Sequence, residues 1–379
     1  YLDRSGSVGQ YRPFLLFTSA NGDSLRSVKL SAIKGDLSGL APADSGGVVA
    51  LGFFVNQSNL LNTFLISFDS LGTIRWQRNF NLPGDGSKTY RIEEVPDGYL
   101  LMANKSNNSQ NFSNSNSVIK TDRKGNLLWQ RTFDFNALAT SVTPMQDGSY
   151  MVLGYTTIGS TGSPTSPFSL NLRLINITPD GDTIRTKVIG SPTDREFGNS
   201  IKQTSDGGFI VVGDFVQNVS GTKRQGYAVK LDSLLNVEWE VKIMPDRGHA
   251  ERGCELFEVQ ETINGEFIVA GYWEAAPYYD RSFIARINAA GNIVWDQKYG
   301  LATLSERFYN MIYDNNGTAY LSGNKGADFY VAKLTGLPLP YQPNYCQQPP
   351  VANFTLQTGS ATDSVKFTDM SVDYLPYGN

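Results

Sequence analysis

The strongest constraint on this chain is a repeat. Six times a turn built from Asp, Asn and Gly opens onto a short apolar run, at 44–49, 97–102, 147–152, 206–211, 264–269 and 316–321. Five of these runs close on a glycine, at Gly52, Gly154, Gly213, Gly271 and Gly323, and Ala103 takes that slot in the second. Asp-Gly and Asn-Gly are what a tight hairpin selects, because its turn needs a residue at positive φ. A second kind of hairpin lies between them: an alternating strand, a turn, and a strand that carries Trp. Trp76, Trp129, Trp239 and Trp295 mark it, and Arg185 stands where the third Trp would fall. Successive marks are 53, 56, 54 and 56 residues apart.

Two hairpins of about five-residue strands, with their connections, fill roughly 45–55 residues, which is one four-stranded propeller blade. A β-sandwich would show turns about every 8–12 residues without this longer period. The chain is therefore read as all-β, a β-propeller with the Gly-closed hairpins innermost and each Trp a plug between neighbouring sheets. Six blades are expected, the ring closed by the N-terminal strands Phe14–Phe17 and Ser24–Leu30; seven blades is the alternative. Residues 1–337 form the propeller and 338–350 a proline-rich linker, and 351–379 read as the opening of an Ig-like β-sandwich. The alternating runs Val351–Thr355 and Ser364–Asp369 are too short to hold a core of their own, so this last part reads as the front of something longer.

Composition removes several function classes. The 32 basic and 36 acidic residues give a net charge of -4, without the clustered basic field that nucleic-acid binding requires. No apolar run approaches the roughly 18 residues of a membrane-spanning helix. A single His leaves little room for Ser-His, Cys-His or His-zinc chemistry. No catalytic residue, metal site or cofactor is assigned. The two cysteines, Cys254 and Cys346, form either one disulfide or two thiols.

The hairpin Asp206-Gly207-Gly208-Phe209, alternating with Lys230-Leu231-Asp232 and Trp239, resembles the propeller repeats of secreted Bacteroidota proteins. Pro350-Val351-Ala352-Asn353-Phe354, followed by Val365-Lys366-Phe367-Thr368-Asp369, resembles the start of a PKD (polycystic-kidney-disease-type, Ig-like) module. The combination is similar to large surface or secreted proteins exported by the type IX pathway. That likeness implies a secreted or cell-surface location, further domains downstream in the same chain, and contact with secretion machinery. It also implies O-glycosylation of Asp-Ser/Thr-apolar acceptors, here Ser24, Ser70, Thr183, Ser233 and Ser364.

Function is expected on the loops that leave the inner hairpins, because a rigid ring lets such loops vary. Trp273, Tyr278, Tyr279 and Arg281, with His249, Glu251 and Arg252 nearby in sequence, are the candidate patch for a surface polysaccharide or a protein. The reading is a non-enzymatic binding or display module. The alternative is a glycoside hydrolase or polysaccharide lyase using carboxylates, for which Glu93-Glu94 and the Glu251, Glu255, Glu258 series are the paired acids.

Overall fold

A computed structural model describes residues 13–19, 24–44, 46–55, 61–80, 87–107, 111–134, 138–158, 169–217, 224–243, 253–275, 279–300, 304–326 and 328–341, and the backbone of 355–356 and 367–369. Every regular element among them is a β-strand. An N-terminal hairpin, β1 (Phe14–Thr18) and β2 (Ser24–Lys29), precedes six sheets. The first holds β3 (Gly35–Pro42), β4 (Val48–Val55), β5 (Leu61–Phe68) and β6 (Ile74–Phe80). The second holds β7 (Ser87–Val95), β8 (Gly98–Asn107), β9 (Asn111–Asp122) and β10 (Leu127–Asp134). The third is β11 (Ala139–Pro144), β12 (Tyr150–Ile158), β13 (Ser169–Ile177) and β14 (Thr183–Ile189). The fourth is β15 (Arg195–Gln203), β16 (Phe209–Val216), β17 (Gln225–Leu231) and β18 (Val237–Ile243). The fifth is β19 (Gly253–Glu261), β20 (Phe267–Ala275), β21 (Tyr279–Ile287) and β22 (Ile293–Tyr299). The sixth has β23 (Glu306–Tyr313), β24 (Ala319–Lys325) and β25 (Asp328–Leu334). Within each sheet every strand pairs antiparallel with the next, and one parallel pair, Leu170 with Arg195, joins the third sheet to the fourth.

Strand periodicity explains why the sheets stack face to face in sequence order. Alternate residues point to opposite faces, so Val48 and Ala50 of β4 enter one apolar seam while Val49 and Leu51 enter the next. Six such seams follow one another, from the N-terminal hairpin against the first sheet to the fifth against the sixth. The second strand of each of the first five sheets is therefore buried on both faces, as in β16, whose unbroken apolar run anticipates it.

The repeat motifs turn out to be structural. The Lys of the third strand pairs with the acid of the inner turn: Lys120 with Asp97 at 2.7 Å, Lys230 with Asp206 at 2.8 Å, and Arg286 with Glu266 in the fifth sheet. In the outer turns Asp69, Asp122 and Asp232 each accept two backbone N–H bonds at 2.8 Å, which closes the loop.

The Trp position forms a clasp to the next sheet. Trp129 Nε1 donates to Pro179 O and Trp239 Nε1 to Ala289 O, each the second residue of the next outer turn. A Cβ at Gly125, Gly181 or Gly291 would lie 2.5, 3.1 or 2.8 Å from the ring of Trp76, Trp129 or Trp239, so the ring needs glycine beneath it. The third sheet varies both halves of this contact together. Arg185 replaces Trp and donates to Ser233 O, and the facing glycine becomes Leu235, at φ 67° and wholly buried. Leucine occupies the volume that the missing indole leaves.

One expectation differs from what is seen. The N-terminal hairpin was expected to complete the last sheet. Instead it forms its own sheet with β26 (Thr355–Leu356), while the outer edge of β25 pairs in parallel with β27 (Phe367–Asp369). The edge of β25 is taken by β27, and Arg26, at the Trp position of the hairpin, donates to Ser70 O and ties it to the first sheet. Of the tail assigned to an Ig-like module, only β26 and β27 lie among the described residues.

Candidate functional site

The described inner and outer turns lie on one end of the sheets, the turn face; the strand ends away from these turns form the opposite end, the loop face. Each innermost strand carries a register shift at the same place, leaving Ser38, Tyr90, Thr140, Asn199, Phe257 and Tyr309 as the bulged residues. Bulges re-aim a side chain, and here they reach sideways. Thr140 Oγ1 donates to Gly198 O at 2.6 Å, Asn199 Nδ2 donates to Leu256 O at 2.8 Å, and Phe257 meets the edge of Tyr309 with centroids 5.2 Å apart.

One step toward the turn face, charged groups from sheets that are not neighbours come together. Arg91 of the second sheet pairs with Glu258 of the fifth and, at 3.0 Å, with Glu93 of its own strand. Lys202 of the fourth sheet reaches Glu93 at 3.1 Å, and Ser200 Oγ donates to Glu258 at 3.2 Å. The innermost strands of the second, fourth and fifth sheets therefore converge on this cluster. Burial works against the Glu93 charge, but Lys202 and Arg91 outweigh it and hold its pKa below the ordinary carboxylate value. Glu94 points the other way, to Arg123, as strand alternation requires.

The turn face is crossed by the segment after β25. Leu337 N donates to Gly317 O at 3.1 Å, Leu339 O accepts from Ile263 N at 2.7 Å, and Tyr341 N donates to Glu261 O at 2.8 Å. Gln146 of the third sheet donates to the Tyr341 hydroxyl at 2.7 Å. This strap spans the sixth, fifth and third sheets.

At the loop face the fourth to sixth sheets present a chain of alternating charge. Arg224 pairs with Asp214 at 3.3 Å and with Glu255. Tyr272 donates to the same Glu255 oxygen at 2.7 Å, and the Arg307 guanidinium lies over the Tyr272 ring at 4.6 Å. Arg307 Nε then donates to Asp280 at 2.6 Å. The two guanidiniums are 39% and 36% exposed, whereas Asp214, Glu255 and Asp280 are 3%, 13% and 11% exposed. Burial, reinforced by the charge of Glu255, pushes the Asp214 pKa up to about 8 against the pull of Arg224, and one of its oxygens has no hydrogen-bond partner.

Of the residues singled out in the sequence, Tyr279 is exposed and Arg281 half-buried, side by side on β21 at the loop-face end. Trp273 is not on the surface: β20 continues to Ala275, so its ring points into the seam beside Cys254 and Phe283, with Lys298 Nζ 3.7 Å from the ring centroid. Tyr278, His249, Glu251 and Arg252 lie outside the described residues. Cys254 is a free, fully buried thiol; Cys346 lies outside the described residues. Ser70, Thr183 and Ser233 are exposed in outer turns, Ser24 is described by its backbone alone, and Ser364 lies outside. Among the acids weighed for catalysis, Glu255 joins the loop-face chain and Glu258 the central cluster, separated by the bulge at Phe257. Sequence reasoning missed Asp214, Arg224, Tyr272, Asp280 and Arg307. Their one signal is position: Asp214 and Tyr272 directly follow the closing glycines Gly213 and Gly271, where the strand leaves the repeat pattern.

No described protein family matches the chain, and no curated protein matches it. Solved structures similar to it include a protein of unknown function from Bacteroides caccae, at 14% identity over 76% of this chain and 94% of that one, TM-score 0.43. The WD40 domain of Neurospora crassa Pan2 gives 10% identity over 76% and 75%, TM-score 0.44. A Synechocystis apocarotenoid oxygenase variant gives 12% identity over 79% and 73%, TM-score 0.47.

Proposed function

We propose that this chain is a non-enzymatic recognition or display module of β-propeller architecture, secreted or held at a cell surface, that binds a polysaccharide or protein on its loop face. The observation that carries the reading is the contrast between the two ends. The loop face offers half-exposed guanidiniums and aromatic rings over the fourth to sixth sheets, whereas the strap crosses the turn face and Arg91 is paired with Glu258 between the second and fifth sheets. A ligand then has one end to approach. Six wedges plus the N-terminal hairpin, which pairs with β26 and leaves the edge of β25 to β27, favour seven sectors over six. The tail from Val351 belongs to a PKD-like module, export is by the type IX route, and Ser24, Ser70, Thr183, Ser233 and Ser364 carry O-glycans in this proposal.

The test is a screen of the immobilised chain against glycans and cell-envelope fractions. Binding weakened by Tyr279→Ala or Arg307→Gln, and untouched by Ile263→Ser on the turn face, supports the reading. Binding indifferent to every loop-face change overturns it. A second reading rests on Asp214, whose carboxyl burial pushes toward its protonated form, with the Glu255 carboxyl beside it, two acids of the kind that acid–base hydrolysis uses. Against it, Glu255 is already held by Arg224 and Tyr272. Polysaccharide turnover abolished by Asp214→Asn would decide for the hydrolase.

A further inference from the structure

We infer that the loop-face mouth over the fourth, fifth and sixth sheets is a subsite for a neutral sugar residue, seated against Phe257 and Tyr309 and hydrogen-bonded by Arg224 and Arg307. The inference rests on the recognition reading above and names its ligand class. The bulge places Phe257 and Tyr309 at the same height on adjacent innermost strands, both half-buried and edge to face. Tyr272 backs Phe257 in a stacked contact with centroids 5.8 Å apart, so the rings are fixed before any ligand arrives. An aromatic surface of this kind takes the C–H face of a pyranose at little conformational cost.

Hydrogen bonding at the rim points the same way. The accessible polar groups are the two guanidiniums, while the carboxylates that orient them are buried. A planar guanidinium anchored on one side offers its remaining N–H groups in a fixed fork, which suits a pair of neighbouring hydroxyls. Charge decides between sugar classes. Arg224 and Arg307 are balanced locally by Glu255 and Asp280, and Asp214 and Glu274 stand close behind. An anionic sugar entering here would gain little from cations already neutralised and would meet additional carboxyl groups. Toward the turn face, Glu258, the residue after Phe257, is paired with Arg91 of the second sheet and bounds the site on that side.

The experiment titrates the full chain with neutral oligosaccharides (gluco-, manno-, xylo- and galacto-configured) and with oligogalacturonate, reading saturation-transfer NMR and calorimetry. At least one neutral series is expected to bind, with Kd raised about tenfold or more by Phe257→Leu and by Arg307→Gln, and unchanged by Ile263→Ser. Tyr309→Leu is the second ring variant should Phe257→Leu fail to give the native thermal transition. Binding of oligogalacturonate alone, or neutral binding indifferent to these substitutions, overturns the inference. If no sugar binds while a protein is captured through Tyr279 or Arg307, the subsite falls and the recognition module stands. If loop-face substitutions alter no binding of any kind, both fall together.

Discussion

Position for position on the innermost strands, Glu196, Cys254 and Glu306 are equivalents, and their partners decide their chemistry. Glu306 is buried with Lys325 at 2.6 Å. Glu196 meets Phe215 across the strand pair instead, accepts one bond from Ser191 N at 3.0 Å, and leaves its other oxygen without a partner. Burial, which outweighs that bond and is helped by the charge of Asp194, raises its pKa from 4.5 to about 7. The native state therefore holds this proton more tightly than the unfolded chain does. Below pH 4.5 both states are protonated and the carboxyl imposes no penalty; as pH rises through 7 the native state must ionise it and stability falls. Glu196→Gln is expected to stabilise the protein at pH 8 by about 1–3 kcal/mol and to leave it unchanged at pH 4, read from denaturant midpoints at the two pH values. Equal gains at both pH values would place the cause elsewhere. Trp273 teaches a complementary lesson at the same scale. Its aromatic neighbours in sequence suggest a surface patch, but alternation along β20 sends it into a seam, and only the length of that strand reveals this.

For the strands and turns, most of what the sequence promised is present, because the signals lie in local chemistry. Turn glycines, closing glycines and the Trp strands each act within one hairpin or one seam, so a linear reading reaches them. The loop-face chain was hidden because its members come from β16, β17, β19, β20, β21 and β23, and no short stretch of sequence contains two of them as a motif. Of the six, Glu255 alone drew attention, as one of a series of acids. The exchange at the third clasp is the sharpest test of the packing logic. Arg185→Trp alone drives an indole onto Leu235 and should cost about 1–3 kcal/mol through overpacking. Leu235→Gly alone removes a buried side chain and relieves a positive φ, for a net loss of about 1–3 kcal/mol. Combined, they restore the contact that Trp129 makes with Gly181, and a coupling of at least about 1 kcal/mol in their favour is expected from urea unfolding of all four proteins. Strict additivity would mean that the two positions do not share one space.

At the scale of the whole molecule, the central charges hold together sheets that are distant in sequence. Removing one member of a buried pair strands the other, whereas replacing both with apolar groups of similar size is often nearly neutral. Arg91→Met and Glu258→Gln are each expected to cost about 3–5 kcal/mol, and Arg91→Met with Glu258→Met to recover most of that, measured by chemical denaturation. A double variant as unstable as the sum of the singles would show that charge itself, not filled volume, secures the centre. The fold's periodicity was legible in advance because fifty-residue spacing survives any change of detail. The place of the N-terminal hairpin was not, since Arg26 in the role of Trp leaves no spacing signal by itself. The clasp has one more consequence. Its donor sits on the outermost strand and its acceptor on the outermost turn, so each of the first four sheets carries both a plug and a socket, and these interfaces run head to tail. A duplicated unit spliced between any two of them would find compatible neighbours on either side, and circumference would then be governed by wedge angle, with no single residue fixing the count.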